Sequence, residues 1–192
     1  MIDTNKDEFL KILREEVGRE GLDEFIEWLC STDFFTAPAS AKFHSNVEGG
    51  LCKHSLLVYE RMKELNVLCK LNVDRDCIAV CGLLHDVCKV NTYIKDYRNV
   101  KDNEGNWYKK PVWCIDDKLP LGHGEKSCIL IQHFMPLALD ELMAIRWHMG
   151  GYDNAVKGGD WSGARASSAS HLVTLLQVAD MIATSFYERS VE

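Results

Sequence analysis

Six residues whose side chains could bind a metal ion lie in or beside predicted helices. They are His54, His85, Asp86, His123, His148 and Asp180. His54 falls on an apolar helical face, and Asp180 stands inside the apolar stretch LLQVADMIA. A charged carboxylate among apolar residues is costly unless it is paired or binds a cation. Imidazole and carboxylate together suit Mn, Fe, Co, Ni or Zn, with Mg as a further candidate, so the pattern predicts a divalent-metal site.

The remaining histidines offer weaker signals. A lone histidine on an apolar face is more often a hydrogen-bonded core residue than a ligand. We therefore predict that His133 and His171 are hydrogen-bonded core residues. His44 lies in a predicted loop, and the sequence indicates no role for it.

The spacing of apolar residues predicts an all-α fold with one small β-hairpin inserted around residues 93–116. Helices are expected after Thr4, over residues 22–29, from Leu51, from Asp74 to His85, from Gly124, over 139–149 and from Ser167 to the stripe that ends at Phe186. Residues 31–50 and 158–165 are expected to be loops.

The composition narrows the class of protein. The net charge of −7 weighs against duplex nucleic acid, and 46% hydrophobic residues indicate a globular domain. The charged N-terminal segment and the lack of a long apolar run predict a soluble, cytoplasmic protein with no membrane partner. The eight cysteines form no CxxC pair and fit a reducing compartment. Most of them are expected in the core as small apolar residues. The same interpretation is preferred for Cys52 and Cys88, which lie near candidate ligands in the sequence.

The candidate ligands occur in five segments, in this order: GGLCKHSLLVY, CGLLHDVCKV, GHGEKS, RWHMGGYD and VADMIA. This order resembles the HD-domain superfamily of metal-dependent phosphohydrolases, from about Gly49 to Ala183. It is similar to small bacterial and phage HD hydrolases and to the HD module of certain bacterial 3′–5′ exoribonucleases. The resemblance implies an HD-domain helical bundle forming a single domain over residues 1–192. N-terminal helices and a loop would occupy 1–48, and the metal-binding core 49–183.

The resemblance also implies how the ligands divide. His54, His85, Asp86 and Asp180 match the ligands of a first ion. His123 and His148 match those of a second ion, which Asp86 would bridge to the first. Met149 stands where trinuclear relatives carry a further histidine, so one or two ions are expected.

The implied activity is hydrolysis of a phosphate mono- or diester by a metal-activated water. Asp86 and Lys89 are the expected catalytic residues, because Lys89 matches a phosphate-contacting lysine of relatives. Lys89, Lys126, Ser127 and Arg146 are the candidate substrate-binding residues, although surface charge is an equal interpretation for Lys126 and Arg146. The expected substrate is a small phosphorylated molecule such as a nucleotide, with a short single-stranded nucleic acid as an alternative.

Two other functions stay open at this point. One is a non-catalytic HD module that binds a nucleotide or a partner, and the other is a di-iron oxygenase, since imidazole and carboxylate also hold iron. In the predicted hairpin, Tyr97, Trp107 and Trp113 could stack on a base or pack against the helices. Packing is the favoured prediction.

Overall fold

In the computed structural model, which describes residues 2–43 and 45–188, helices make up most of the chain and one two-stranded sheet accompanies them. The helices of this part of the chain are α1 (Ile2–Glu16), α2 (Leu22–Ser31), α3 (Gly50–Cys69), α4 (Arg75–Leu84), α5 (His123–Gln132), α6 (Leu139–Trp147), α7 (Asn154–Lys157), α8 (Ser162–Ala169) and α9 (His171–Ile182). Short 3-10 turns at Val87–Lys89 and Gly150–Tyr152 follow α4 and α6, and a π-helical turn, Ala183–Tyr187, follows α9. The predicted all-α fold class is confirmed.

Helix α3 lies at the centre of the helical packing. Its apolar residues Leu51, Val58 and Met62 are fully buried, and it packs against α1, α4 and α9. Helix α6 contacts α4, α5 and α9. The helices that carry or border the predicted ligands are therefore neighbours in the core, which brings distant sequence segments to one place.

Two glycines permit close helix contacts next to the predicted ligands. A Cβ atom at Gly82 of α4 would lie 2.7 Å from Tyr59 Cα of α3, and one at Gly124 of α5 would lie 2.3 Å from the Arg146 carbonyl oxygen of α6. Both distances are shorter than real Cβ contacts. Any larger residue would push these helices apart and with them the side chains that they position.

A partly buried ion network connects the starts of α4 and α6. The Arg19 guanidinium, between α1 and α2, pairs with Asp76 of α4 and with Glu141 of α6. Glu141 is 1% exposed and also accepts a hydrogen bond from the Ala138 backbone N–H at 2.8 Å. Breaking a buried pair leaves an uncompensated charge, so this network holds the two helices whose C-terminal ends carry His85 and His148.

The prediction for the C-terminal region was wrong in three respects. The expected loop over residues 158–165 contains the start of α8, and the expected single helix from Ser167 is broken at Ser170. Ser170 has extended backbone angles, and its hydroxyl accepts a hydrogen bond from the Leu172 N–H. Serine competes for backbone hydrogen bonds in this way and favours helix starts over helix interiors. Phe186, expected in the buried stripe, is 78% exposed.

The predicted hairpin is present as an antiparallel ribbon of β1 (Tyr93–Lys101) and β2 (Trp107–Ile115), paired from Tyr93↔Ile115 to Lys101↔Trp107. The Asp102 carboxylate closes the turn by accepting hydrogen bonds from the backbone N–H groups of Glu104 and Asn106. The prediction that the aromatic residues pack against the helices was wrong for Tyr97 and Trp107, which are each 67% exposed.

Candidate metal centre

The six predicted ligands lie in or directly after five helices and meet in one cluster. His54 lies in α3, His85 and Asp86 follow α4 directly, His123 begins α5, His148 follows α6, and Asp180 lies in α9. Three overlapping triplets among them have potential ligand atoms within 4.8 Å of one another. They are His54, His85 and Asp86; His85, His148 and Asp180; and Asp86, His123 and His148.

Asp86 stands at the centre of this cluster, and its two carboxylate oxygens face different histidines. Oδ2 lies 3.5 Å from Nε2 of both His54 and His85. Oδ1 lies 2.8 Å from His123 Nε2 and 3.5 Å from His148 Nε2. One carboxylate thus offers one oxygen to each histidine pair, which is the arrangement that a bridging ligand between two ions requires.

The outer ring nitrogens show which nitrogen faces the cluster. His85 Nδ1 donates to the Gly82 carbonyl at 3.0 Å, and His148 Nδ1 donates to the Ile145 carbonyl at 2.7 Å. A carbonyl can only accept, so Nδ1 carries the proton in both rings. In its neutral form each ring therefore presents an Nε2 lone pair to the centre, as metal-binding histidines do.

Two buried atoms of the cluster lack a hydrogen-bond partner among the described residues. They are His148 Nε2 and Asp180 Oδ1. Asp180 Oδ1 lies 3.4 Å from His54 Nε2 without forming a hydrogen bond. A buried polar atom without a partner is costly, and bound divalent cations would satisfy both atoms. The residues present therefore fit a metal ion, and the donor set of imidazole and carboxylate suits a transition metal.

Glu188, which the sequence did not single out, lies directly behind His54. Its side chain is fully buried, and Oε2 lies 2.8 Å from His54 Nδ1, while Oε1 accepts a hydrogen bond from the Ser45 hydroxyl at 2.8 Å. Burial would lower the pKa of His54, but the Glu188 hydrogen bond and the Asp180 carboxylate raise it above its ordinary value. Glu188 therefore orients the ring and keeps Nε2 directed at the cluster.

We expect Glu188→Ala to raise the dissociation constant for Mn²⁺ by about 10–100-fold, since the partner that orients a ligating histidine contributes that much. Glu188→Gln, which can still accept from His54 Nδ1, should lose less. Titration of the metal-free protein by calorimetry measures both effects. Glu64→Ala, at a mostly exposed glutamate of α3, serves as the control. Unchanged affinity in Glu188→Ala, with an unchanged melting temperature, would contradict the assigned role.

Lys89, one of the predicted substrate-binding residues, contacts a candidate metal ligand. Its ammonium lies 2.5 Å from Asp86 Oδ2. Burial lowers the pKa of Lys89, but the Asp86 carboxylate outweighs this and raises the pKa above its ordinary value. Burial likewise opposes ionisation of Asp86, yet Lys89 and His85 hold its pKa well below the usual range. The pair is therefore ionised at neutral pH.

The other predicted substrate-binding side chains are engaged elsewhere. Lys126 is buried and pairs with Asp117 at 2.7 Å. The buried Ser127 hydroxyl accepts a hydrogen bond from the Cys88 N–H at 3.1 Å. Arg146 pairs with Glu125 at 2.6 Å and with Asp153 at 2.8 Å. These contacts hold the helices around the cluster and give no support to anion binding by the three residues.

The remaining cysteine and histidine predictions can also be compared with the structure. Cys52 is a core residue, while the Cys88 thiol lies 3.4 Å from His123 Nδ1. Burial raises the pKa of Cys88 to about 12, so the thiol is protonated at neutral pH. His133 and His171 are exposed, which corrects the expectation of core residues. His44 lies outside the described residues.

A comparison with protein-family models shows which family the chain belongs to. The model described as HD domain matches residues 51–185, more than half of the chain. The chain belongs to the HD-domain family. This family consists in general of metal-dependent phosphohydrolases, and the matched range covers every residue of the cluster. No curated protein and no solved structure matches the chain. Among the described residues of this HD-domain protein, no helix is long and apolar enough to cross a membrane.

Proposed function

We propose that this HD-domain protein hydrolyses a phosphate mono- or diester in a nucleotide or a short oligonucleotide. The observation that carries the proposal is the division of the Asp86 oxygens between two histidine pairs, with the Lys89 ammonium beside them. A structural metal site has no need of a cation beside its ligands, whereas hydrolysis of a phosphate ester is helped by metal and cationic contacts to the phosphoryl oxygens.

The cluster would hold one or two divalent ions. His54, His85, Asp86 and Asp180 would bind the first, and His123, His148 and Asp86 the second. When bound, such ions lower the pKa of water towards about 7 and neutralise charge on the phosphoryl oxygens. Burial lowers the pKa of His123, and the nearby Asp86 offsets part of this, so the ring is neutral and able to bind at neutral pH.

Lys89 would contact the phosphate. Because its pKa is raised, the side chain keeps its proton and acts as a cation, not as a base. Its side chain is 12% exposed, so its charge is screened less by water than that of a surface lysine. Lys89 would thus bind a phosphoryl oxygen and counter the negative charge that develops there in the transition state.

A substrate screen tests the proposal. The Mn²⁺- or Co²⁺-loaded protein should release product from at least one class among nucleoside mono-, di- and triphosphates, cyclic dinucleotides and short RNA. Lys89→Met should reduce that turnover while metal content stays unchanged. Full metal occupancy without turnover in any class would favour the non-catalytic module. Oxygen consumption by the iron-loaded protein with an organic substrate would favour the oxygenase.

A further inference from the structure

The β1–β2 ribbon carries an aromatic and basic surface on one side. Side chains alternate between the two faces of a strand, and directly paired residues share a face. The register Lys95↔Trp113, Asn99↔Lys109 and Lys101↔Trp107 therefore defines one face, and Arg98↔Lys110 and Val100↔Tyr108 define the other. We name the first the aromatic face; it contains Lys95, Tyr97, Lys101, Trp107, Lys109 and Trp113.

The aromatic face combines cations and rings at close range. Lys95 Nζ lies 5.0 Å from the Trp113 ring centroid, and Lys101 Nζ lies 5.0 Å from that of Trp107. Asp96, the acidic residue within the two strands, falls on the opposite face. The aromatic face therefore carries three lysines on a chain whose net charge is −7; Lys95 also pairs with Glu48 at 3.2 Å, whereas Lys101 and Lys109 add positive charge farther along the ribbon. Such a surface complements a polyanion.

Two rings of this face are open to solvent. Tyr97 and Trp107 are each 67% exposed, although aromatic rings usually contribute to a core or an interface. Exposed rings interleaved with lysines are what proteins use to bind single strands, because each base can stack on a ring while a cation contacts its phosphate.

One end of the aromatic face lies at the metal centre. Tyr93, which alternation places on the same face, begins β1 four residues after Lys89, a span of at most about 14 Å. The Thr92 hydroxyl, just before β1, donates to the Cys88 carbonyl at 3.2 Å. Tyr93 is half-buried and close enough to Lys89 and Asp86 for their charges to affect it. The face thus extends about 30 Å outward from the candidate site, as nine strand residues do.

We propose that the aromatic face binds a single-stranded oligonucleotide and leads it to the metal centre, an inference that rests on the proposed phosphohydrolase function and names its substrate class. A second copy of the chain is a poorer occupant. Self-complementary pairing of this face would set lysines against lysines, and each copy carries a net charge of −7.

Binding can be measured without cleavage. The probe is fluorescein-labelled oligothymidylate with phosphorothioate linkages, and the readout is the fluorescence anisotropy of the Mn²⁺-loaded full chain. Tyr97→Ala combined with Trp107→Ala should weaken binding by about tenfold or more. Lys101→Ala combined with Lys109→Ala should also weaken it and lower the salt dependence by about 1.4 in log–log slope, for two phosphate contacts.

The opposite face supplies matched controls. Arg98→Ala combined with Lys110→Ala removes the same charge, and Tyr108→Ala removes an exposed ring, yet both should leave binding and melting temperature unchanged. Equal losses from both faces, or no loss from the aromatic face, would overturn the proposal. So would a changed oligomeric state of the aromatic-face variants in light scattering with oligonucleotide binding intact, because the face would then join copies of the chain.

A separate readout distinguishes the two proposals. Hydrolysis of bis-p-nitrophenyl phosphate by the wild-type protein reports on the metal centre without a base or a long strand. Oligonucleotide binding that depends on the aromatic face, without this hydrolysis, would support the surface and count against the enzyme. Hydrolysis without such binding would support the enzyme and count against the oligonucleotide-binding surface.

Discussion

Asp86→Ala should bind neither ion stably and should hydrolyse phosphate esters at least about 100-fold more slowly than the wild type. Loss of a mere orienting partner costs about 10–100-fold, and loss of a ligand shared by both ions must cost more. Asp86 is the residue on which the cluster depends, because its two oxygens lie within 3.5 Å of Nε2 atoms of all four histidines. Elemental analysis and a phosphatase assay measure the two effects.

Folding has to be checked separately, since Asp86 is buried and also balances the charge of Lys89. Asp86→Asn keeps the size of the side chain and should show the same loss of metal with helicity unchanged in far-UV circular dichroism. Asp96→Ala, at an exposed aspartate of β1, is the matched control and should retain both ions. Full metal content in Asp86→Ala would refute the assigned ligand set.

The grouping of the candidate ligands could be predicted from the sequence because some of these residues violate local rules. His54 and Asp180 occupy faces that are otherwise apolar, and such a conflict points to a functional site. The structure gives the reason, since His54 is 1% exposed and Asp180 Oδ1 is buried without a hydrogen bond. The helical spacing that placed these residues also predicted the bundle, and the alternation of aromatic and polar residues around an Asn-Glu-Gly-Asn turn predicted the hairpin.

Features that depend on distant contacts could not be predicted in the same way. Glu188 meets His54 across 134 positions of sequence, and it follows the last helix in a polar segment where a glutamate is ordinary. Lys126 was a reasonable anion-binding candidate at the start of α5 until Asp117 was found beside it. Ionic partners of this kind are fixed by tertiary packing, about which charge and spacing along the chain say nothing.

The second ion gives the other large expected effect. His148→Ala should reduce the metal content from two ions to one and lower activity sharply, because His148 and His123 both face Asp86 Oδ1, the oxygen turned away from His54 and His85. His123→Ala should behave in the same way. His54→Ala removes a ligand of the opposite oxygen and should lose the first ion instead. Metal counting by elemental analysis of the three variants measures the stoichiometry.

His133→Ala, at an exposed histidine outside the cluster, should keep both ions and full activity. If the wild type binds one ion and both His123→Ala and His148→Ala retain it while activity is lost, the centre is mononuclear and these imidazoles act on the substrate or its protons directly.

The buried His148 Nε2 argues for the binuclear centre. Its Nδ1 already donates to Ile145, so in the neutral ring Nε2 carries a lone pair, and this atom has no hydrogen-bond partner among the described residues. A cation is the partner that such a nitrogen accepts without rearrangement of the fold.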